Sequence, residues 1–258
     1  QFAHVVVRHL AALRGDGHLG RLGRPGVIRG MVSAACSRSV GSSPATGVQY
    51  VAMTEGAFVT SSSSTVATPA GVQSADALLC VLMHRSAVTP PSGWVLLATR
   101  DVLGSEQPDH AVSVYQMTAP SSGTYTWSQA ASARMRVVYV VARNNYGSVV
   151  FSSSASSNKT DLGTPQHIMP TVTAVASGEF HMQCSTCVYS PGGAYQSPTG
   201  STAISGSAFD VDSRLGVAYK TLAVGESSGG SFVHANSSGA NAPPHDGAEL
   251  TLVFSPGA

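Results

Sequence analysis

The sequence predicts an all-β protein: a jelly-roll β-sandwich of two four-stranded halves, preceded by an extended basic N-terminal arm. Three observations predict this fold. From residue 48 onward, short β-branched and aromatic runs are separated by Ser, Gly and Pro. No apolar helical period of useful length appears in that region, and a set of strands recurs in the same order. With 258 residues, the chain can bury a core without disulfide or metal staples.

The predicted arm spans residues 1–47 and is strongly basic. It contains Arg8, Arg14, Arg21, Arg24, Arg29 and Arg38 but one acidic residue, Asp16, so its charge is +5. Residues 48–258 hold the remaining cations and acids and carry −4. After a predicted short helix over 2–13, Gly recurs at every third residue from 17 to 26, which opposes a globular element. We therefore expect the arm to become ordered by lying on a partner.

Composition excludes several classes of protein. Charged residues make up 10% of the chain, against about 25% in ordinary soluble domains. This low content is incompatible with a charge-driven disordered chain, and with a strongly basic nucleic-acid binder taken as a whole. The sequence contains no run of about 18 apolar residues, so no membrane span is predicted. The apolar run Val5–Val7 stops at Arg8, so no signal peptide is expected.

The body, residues 48–258, reads as a series of strands. Two segments, Ala77–Met83 and Val137–Val141, are apolar throughout and should be buried on both faces, whereas Val112–Met117 alternates. Residues 152–166 form a predicted polar loop. The full set of predicted strands is Val48–Met53, Ala57–Thr60, Thr65–Thr68, Ala77–His84, Trp94–Asp101, Ala111–Thr118, Thr124–Ser128, Met135–Arg143, Ser148–Phe151, Thr171–Ala176, Glu179–Val188, Leu215–Thr221, Ser231–Ala235 and Glu249–Phe254.

An internal near-repeat organises these strands. Its first copy covers about residues 75–143 and its second about 178–254. Within it, Gly93 of a Pro-Ser-Gly turn corresponds to Gly200 of a Pro-Thr-Gly turn, and Tyr115 is matched with Tyr219. Two four-stranded copies predict an eight-stranded sandwich of two sheets, the jelly-roll arrangement.

Five motifs carry a resemblance to a known family. They are Ser74-Ala-Asp76, Thr89-Pro-Pro-Ser-Gly-Trp94, Val112-Ser-Val-Tyr115, Gly123-Thr-Tyr-Thr-Trp127 and the apolar run Val137–Val141. In this order they resemble a jelly-roll domain common in tailed-bacteriophage structural proteins, over about residues 65–254. The resemblance implies a location on the outer surface of the virion, as decoration or as part of a fibre. The second copy departs from the pattern because no Trp follows its Pro-Thr-Gly, and the arm matches no family pattern.

The resemblance and the arm together predict a non-enzymatic virion structural protein. We expect it to decorate or stabilise a capsid, or to form a head fibre, with the six arginines anchoring it to the major capsid protein or other virion proteins. Family analogy suggests a homo-oligomer, with a trimer as the specific guess. Arm contact with packaged DNA is the weaker expectation, because the body is net negative. The alternative is a tail-fibre or host-surface carbohydrate-binding module, with Tyr189 and Tyr195 as the glycan contacts.

No catalytic, metal or cofactor site is predicted. His181-x-x-Cys184-x-x-Cys187 resembles half a zinc site, but residues three apart on a strand face opposite ways, so small core side chains are the prediction. A Cys184–Cys187 bridge and a Cys36–Cys80 bridge stay open as alternatives. Gly15-Asp-Gly17-His-Leu-Gly20 has the spelling of a dinucleotide motif without the helix that the motif requires. No nucleophile elbow or carboxylate pair points to an enzyme.

Overall fold

A computed structural model describes residues 47–102, 109–159, 166–188, 195–205, 213–234 and 246–257. These residues contain fifteen strands and no helix. The first half supplies β1 (Val48–Glu55), β2 (Val59–Ala67), β3 (Ala77–His84), β4 (Val88–Thr89), β5 (Trp94–Val102), β6 (His110–Met117) and β7 (Thr124–Asn144). The second supplies β8 (Val149–Lys159), β9 (Gln166–Ile168), β10 (Glu179–Val188), β11 (Tyr195–Gln196), β12 (Thr202–Ser205), β13 (Ser213–Leu222), β14 (Ser231–His234) and β15 (Gly247–Pro256). The predicted all-β class is confirmed.

The strands form three antiparallel sheets. The first sheet has the order β1-β7-β3-β6-β5, with β2 and β4 also paired to β7. The second has the order β12-β13-β10-β15-β8, and a small third sheet has the order β11-β14-β9. Every sheet therefore takes its strands from one half of the chain.

The two large sheets pack face to face, as a β-sandwich does. Alternate residues of each strand point between the sheets, because successive side chains of a strand face opposite ways. The first sheet contributes Leu79, Val81, Met83, Val112, Val114, Val138 and Val140, and the second contributes Phe180, Met182, Cys184, Leu215, Val217, Leu250, Leu252 and Phe254. These inner faces are apolar in both halves, and they form the core between the sheets.

The two halves repeat each other residue by residue. Val81 pairs with Val114 on one side and Val138 on the other, and Cys184 pairs in the same way with Val217 and Leu250. With these positions aligned, the order β1-β7-β3-β6-β5 corresponds to β8-β15-β10-β13-β12. The repeat thus includes β1 and β8, which lie outside the near-repeat predicted from the sequence.

The irregularities of the ladders are repeated as well. The β5–β6 register shifts between Leu96 and Ala98, and the β12–β13 register shifts at the equivalent residues 203 and 205. A second shift lies in the β1–β7 ladder, between Tyr50 and Ala52. Its counterpart in the β8–β15 ladder lies between residues 151 and 153 of β8, which pair with Phe254 and Val253. Bulges bend a strand at a defined point, so their repetition gives both sheets the same local bends. The predicted match of Tyr115 with Tyr219 is wrong by one residue, because this register aligns Tyr115 with Ala218.

Two Ser-rich segments that were predicted as breaks belong to strands. β2 is continuous through residues 61–64, and β8 extends through residues 152–159 of the predicted polar loop. Both pair with a long apolar strand, β7 or β15, which supplies their ladder partners. In contrast, the predicted strand Thr171–Ala176 makes one isolated bridge, from Thr173 to Ser227. Whether each of these segments forms a strand depends on its hydrogen-bond partners, which local sequence does not encode.

Candidate functional site

The outer faces of the two large sheets differ in chemistry. The outer face of the first sheet is covered by β2, β4 and the start of β7, and it holds an apolar cluster of Val66, Leu78, Cys80, Leu82, Trp94, Tyr115, Met117, Trp127, Met135, Val137, Tyr139 and Val141. The equivalent face of the second sheet holds Glu179, His181, Gln183, Ser185, Glu249 and Thr251, all at most 1% exposed. We call these six residues and His167 the polar layer. Burying polar groups is costly unless they are hydrogen-bonded, and clusters of buried titratable groups occur often at functional sites, so this layer is the candidate site.

The first part of the polar layer is a buried acid and histidine at the start of β10. His181 Nε2 lies 3.2 Å from Glu179 Oε2. The Glu179 carboxylate also accepts hydrogen bonds from the backbone N–H groups of Val175 and Ala176 and from the hydroxyl of Ser255, at 3.1–3.3 Å. Burial lowers the pKa of His181, and nearby Lys220 lowers it further, while Glu179 opposes the shift. His181 is therefore neutral near pH 7.

At the other end of the layer, His167 and Glu249 form a second buried pair. His167 Nδ1 lies 2.9 Å from Glu249 Oε1, and both side chains are at most 1% exposed. His167 belongs to β9 and Glu249 to β15, so the pair connects the outer strand to the sheet. Gly247 provides the space for it, because a Cβ at that position would lie 2.2 Å from His167 Nδ1 and 2.7 Å from Glu249 Oε1.

Between the two pairs, Gln183 and Thr251 bind irregular backbone. Gln183 Nε2 donates to the carbonyl of Gly229 at 2.9 Å, and its Oε1 accepts from the Ser201 hydroxyl at 2.7 Å. Thr251 Oγ1 donates to the carbonyl of Pro170 at 2.8 Å. Buried backbone groups outside regular ladders require partners, and these side chains provide them.

Aligning the halves shows what the polar layer replaces. His181 takes the position of Leu78, Gln183 that of Cys80, and Thr251 that of Tyr139. The pair of His167 and Glu249 takes the positions of Val66 and Val137. Ser201, which binds Gln183, takes the position of Trp94. The Trp missing from the second copy of the motif is thus replaced by a hydroxyl that hydrogen-bonds the layer.

One acidic position is common to both halves. Asp76 and Glu179 occupy equivalent positions at the start of β3 and β10, and each accepts a backbone N–H three residues earlier, from Gln73 at 2.7 Å and Ala176 at 3.1 Å. Their counter-groups differ. Asp76 binds Arg143 through both carboxylate oxygens, at 2.6 and 2.8 Å, and this pairing raises the pKa of Arg143.

The polar layer is suited to anchoring, because its side chains are covered and bind the segments above them. Among the described residues, no group of three or more His, Cys, Asp and Glu side chains could hold a metal ion. Cys184 lies in the core between the sheets, whereas His181 points into the layer on the opposite face. Among the described residues, Cys80 and Cys184 are free thiols, and burial raises the pKa of both.

A histidine also borders a cleft at the edge of the first sheet. The cleft has a volume of about 330 Å³ and is lined by residues that include His84, Arg85, Asp101, Asp109 and His110. His84 Nδ1 lies 2.9 Å from the carbonyl of Ser86, which can only accept, so this nitrogen carries the hydrogen. Burial lowers the pKa of His84, with Ser86 and Asp101 opposing the shift, and the ring is neutral near pH 7.

The free nitrogen of this ring faces a serine. His84 Nε2 accepts from Ser113 Oγ at 2.8 Å, and Ser113 Oγ lies 2.8 Å from Thr99 Oγ1. The pair has the spacing of a nucleophile and a general base. However, Ser113 is 2% exposed, and both of its neighbours already bind its hydroxyl. The arrangement connects β3, β5 and β6, and within the described residues the Ser113 hydroxyl is buried.

The residues that the sequence singled out for partner contact lie mostly elsewhere. Arg8, Arg14, Arg21, Arg24, Arg29, Arg38 and Tyr189 are outside the described residues. Tyr195 begins β11 and pairs with His234 at the edge of the third sheet. The polar layer was not predicted from the sequence. One sequence feature could have indicated it: β10 has His181, Gln183 and Ser185 at alternate positions. The first copy has Leu78, Cys80 and Leu82 at the equivalent positions.

Searches of family models, curated proteins and solved structures gave no match to this chain. The described residues contain no helix long and apolar enough to cross a membrane.

Proposed function

We propose that this chain is a non-enzymatic virion structural protein that decorates or stabilises a capsid through its basic N-terminal arm. The observation that carries the proposal is the separation of charge. Residues 1–47 hold six arginines and a charge of +5, whereas residues 48–258 carry −4. The sequence motifs that resemble phage structural domains supply the virion context.

The attachment follows from the chemistry of arginine. Its planar guanidinium forms paired hydrogen bonds with carboxylates, which suits an acidic groove between capsid subunits. Exposed charge pairs are screened over about 8 Å at physiological salt, so attachment through the arm should weaken as salt rises. A homo-oligomer, with a trimer as the working guess, would multiply the arms and hence the strength of attachment.

The body suits a mechanical role. Buried acids of the body bind other segments of the same chain: Glu179 holds the backbone N–H groups of Val175 and Ala176, and Glu249 pairs with His167. Its exposed strands β2 and β8 present mostly serine and threonine. Such neutral, hydroxylated edges carry few groups that would promote nonspecific charge-driven association.

The test is binding to purified particles that lack the protein. Deleting residues 1–40 should abolish co-sedimentation with these particles, and replacing the six arginines by serine should do the same. A matched variant with six lysines keeps the charge and should bind more weakly than wild type but better than the serine variant. Unchanged binding of the deletion variant would refute the anchoring role. Immunogold labelling over the head would support decoration, and labelling at the tail would contradict it.

A carbohydrate-binding module is the second candidate. The observation in its favour is the position of Tyr195 in an edge strand of the small third sheet, where one side of the strand is unpaired among the described residues. A tyrosine side chain combines a large apolar ring with a polar hydroxyl, which suits contact with a sugar. A glycan array probed with the wild-type chain and with Tyr189→Ala and Tyr195→Ala variants tests it. Glycan binding lost in either variant would support this candidate, and an array without binding would exclude the sugars tested.

A further inference from the structure

The covering of the polar layer consists of two segments, residues 166–176 and 226–233, which we call the strap. They contact each other through the pairing of β9 with β14 and through the Thr173–Ser227 bridge. Besides a small apolar cluster of Met169, Ala218 and Phe232, the strap is held on the second sheet by polar contacts.

These polar contacts occur along the length of the strap. His167 binds Glu249, Thr251 binds the carbonyl of Pro170, and Gln183 binds the carbonyl of Gly229. At the end of the strap, the Glu179 carboxylate holds the N–H groups of Val175 and Ala176. Each anchor on the sheet therefore has a defined contact point on the strap, and two of the anchors include a histidine.

We propose that the strap is an acid-released element, held over the second sheet at neutral pH and freed when His181 takes up a proton. This proposal is independent of the virion function proposed above. His181 is fully buried, and among the described residues its Nδ1 has no hydrogen-bond partner. A second proton would have to be placed on this nitrogen, where it would be a buried donor without an acceptor. Opening of the strap exposes the ring to water and removes that cost.

The charges around His181 determine how strongly the closed state resists protonation. On its own strand the ring faces Glu179, which favours the proton, and on β13 it is paired with Lys220, which disfavours it. Its partner on β15 is the uncharged Val253. In the segment above, Glu226 is exposed and accepts the backbone N–H of Ala223. At the end of the polar layer away from Glu179, the buried titratable and charged groups are His167, Glu249, Arg214 and Asp246. Burial outweighs the attraction of Glu179, so the closed state disfavours protonation of His181.

The first half provides an internal control. Its covering elements β2 and the start of β7 lie on apolar residues, with Leu78 at the position of His181 and Val66 at that of His167. No ionisable side chain holds that covering at these positions. Acid should therefore loosen the strap and leave the covering of the first sheet closed.

Hydrogen exchange measured by mass spectrometry on the full chain tests the proposal, with rates corrected for the intrinsic effect of pH. Between pH 6.5 and pH 5.5, opening of residues 166–176 and 226–233 should increase about three- to tenfold, since one proton uptake changes an equilibrium by up to about tenfold per pH unit. Residues 59–67 and 124–129 should change by less than about twofold under the same scheme. The His181→Leu variant should lose the pH dependence of the strap, and the matched His84→Asn variant should keep it.

Three results would overturn the proposal: strap protection that is the same at both pH values, equal opening of both coverings, or a pH dependence that persists in His181→Leu. If the leucine variant does not fold, the comparison of the two coverings within the wild-type chain decides. Titration of the wild-type histidines by NMR provides an independent readout. The His181 ring should stay neutral at pH values where exposed histidines are protonated, and a ring that titrates with them would refute the proposal.

Discussion

The two halves of this chain have the same ladder but opposite outer faces. In the first half, Trp127, Tyr139 and Leu78 lie in an apolar cluster, whereas the second half has Glu249, Thr251 and His181 on the equivalent face. Both halves keep apolar residues on the face between the sheets. The shared inner core and the repeated bulges therefore specify the strand order, and the outer face tolerates either chemistry when its polar groups are partnered.

The largest expected effect is the loss of the aromatic centre of the first half. Trp127 is fully buried, donates its indole N–H to Tyr139 Oη at 2.7 Å, and packs against Trp94 and Tyr115. Trp127→Ala should lower the free energy of unfolding by about 3–5 kcal/mol, because it leaves a cavity and a buried hydroxyl without its donor. Urea denaturation measures the loss, and the exposed Tyr146→Ala is the control. A loss under about 1 kcal/mol would mean that this cluster does not stabilise the first half.

The next largest loss of stability is expected from filling the space that Gly247 leaves for the buried pair of His167 and Glu249. Gly247→Ala places a methyl group against His167 and Glu249 and should cost about 1–3 kcal/mol, as overpacking of a closed site does. The control is Gly123→Ala, whose methyl would lie 3.4 Å from the Tyr125 ring, an ordinary contact. Equal stabilities of the two variants, measured by urea denaturation, would show that the site has room to adjust.

Much of the fold could be predicted from the sequence, because the alternation of apolar residues and the Gly-marked turns are local signals. The apolar runs at 77–83 and 137–141 became central strands of the first sheet. The polar layer could not be predicted in the same way. The partners of His167 and Gln183 are Glu249 and the carbonyl of Gly229, which lie 82 and 46 residues away along the chain. Local sequence does not report such pairs, and the Ser-rich part of β8, residues 152–159, was missed for the same reason.

A smaller effect is the dependence of stability on pH that the two buried histidines cause. Burial lowers the pKa of both His84 and His181 below the ordinary value of 6.5, so the unfolded chain binds these protons first. Their contribution to stability is complete above pH 6.5 and is lost as pH falls from there through the folded-state pKa values. Each histidine contributes at most about 1.4 kcal/mol per pH unit. Urea midpoints at pH 7.5, 6.5 and 5.5 measure this, and a slope that His181→Leu leaves unchanged would assign the effect elsewhere.

The smallest expected effect is on the contact that replaces Trp94. Ser201→Ala removes the hydroxyl that donates to Gln183 Oε1 at 2.7 Å and should cost about 1 kcal/mol. Thr202→Ala, at the neighbouring exposed position, is the matched control and should change stability by less than about 0.5 kcal/mol. Thermal unfolding of both variants tells them apart. A neutral Ser201→Ala would show that Gln183 is held by Gly229 alone.

The most direct test of the comparison exchanges one residue between the two outer faces. Leu78→His places an imidazole in the apolar cluster. It should lower the free energy of unfolding by about 3 kcal/mol, since the ring nitrogens would be buried among apolar side chains. His181→Leu at pH 7.5 should change stability by less than about 1 kcal/mol, because Glu179 keeps its two backbone donors and Ser255. Urea denaturation of both variants gives the two values side by side. Equal losses, or a larger loss for His181→Leu, would contradict the claim that the halves share a ladder but differ in what stabilises their outer faces.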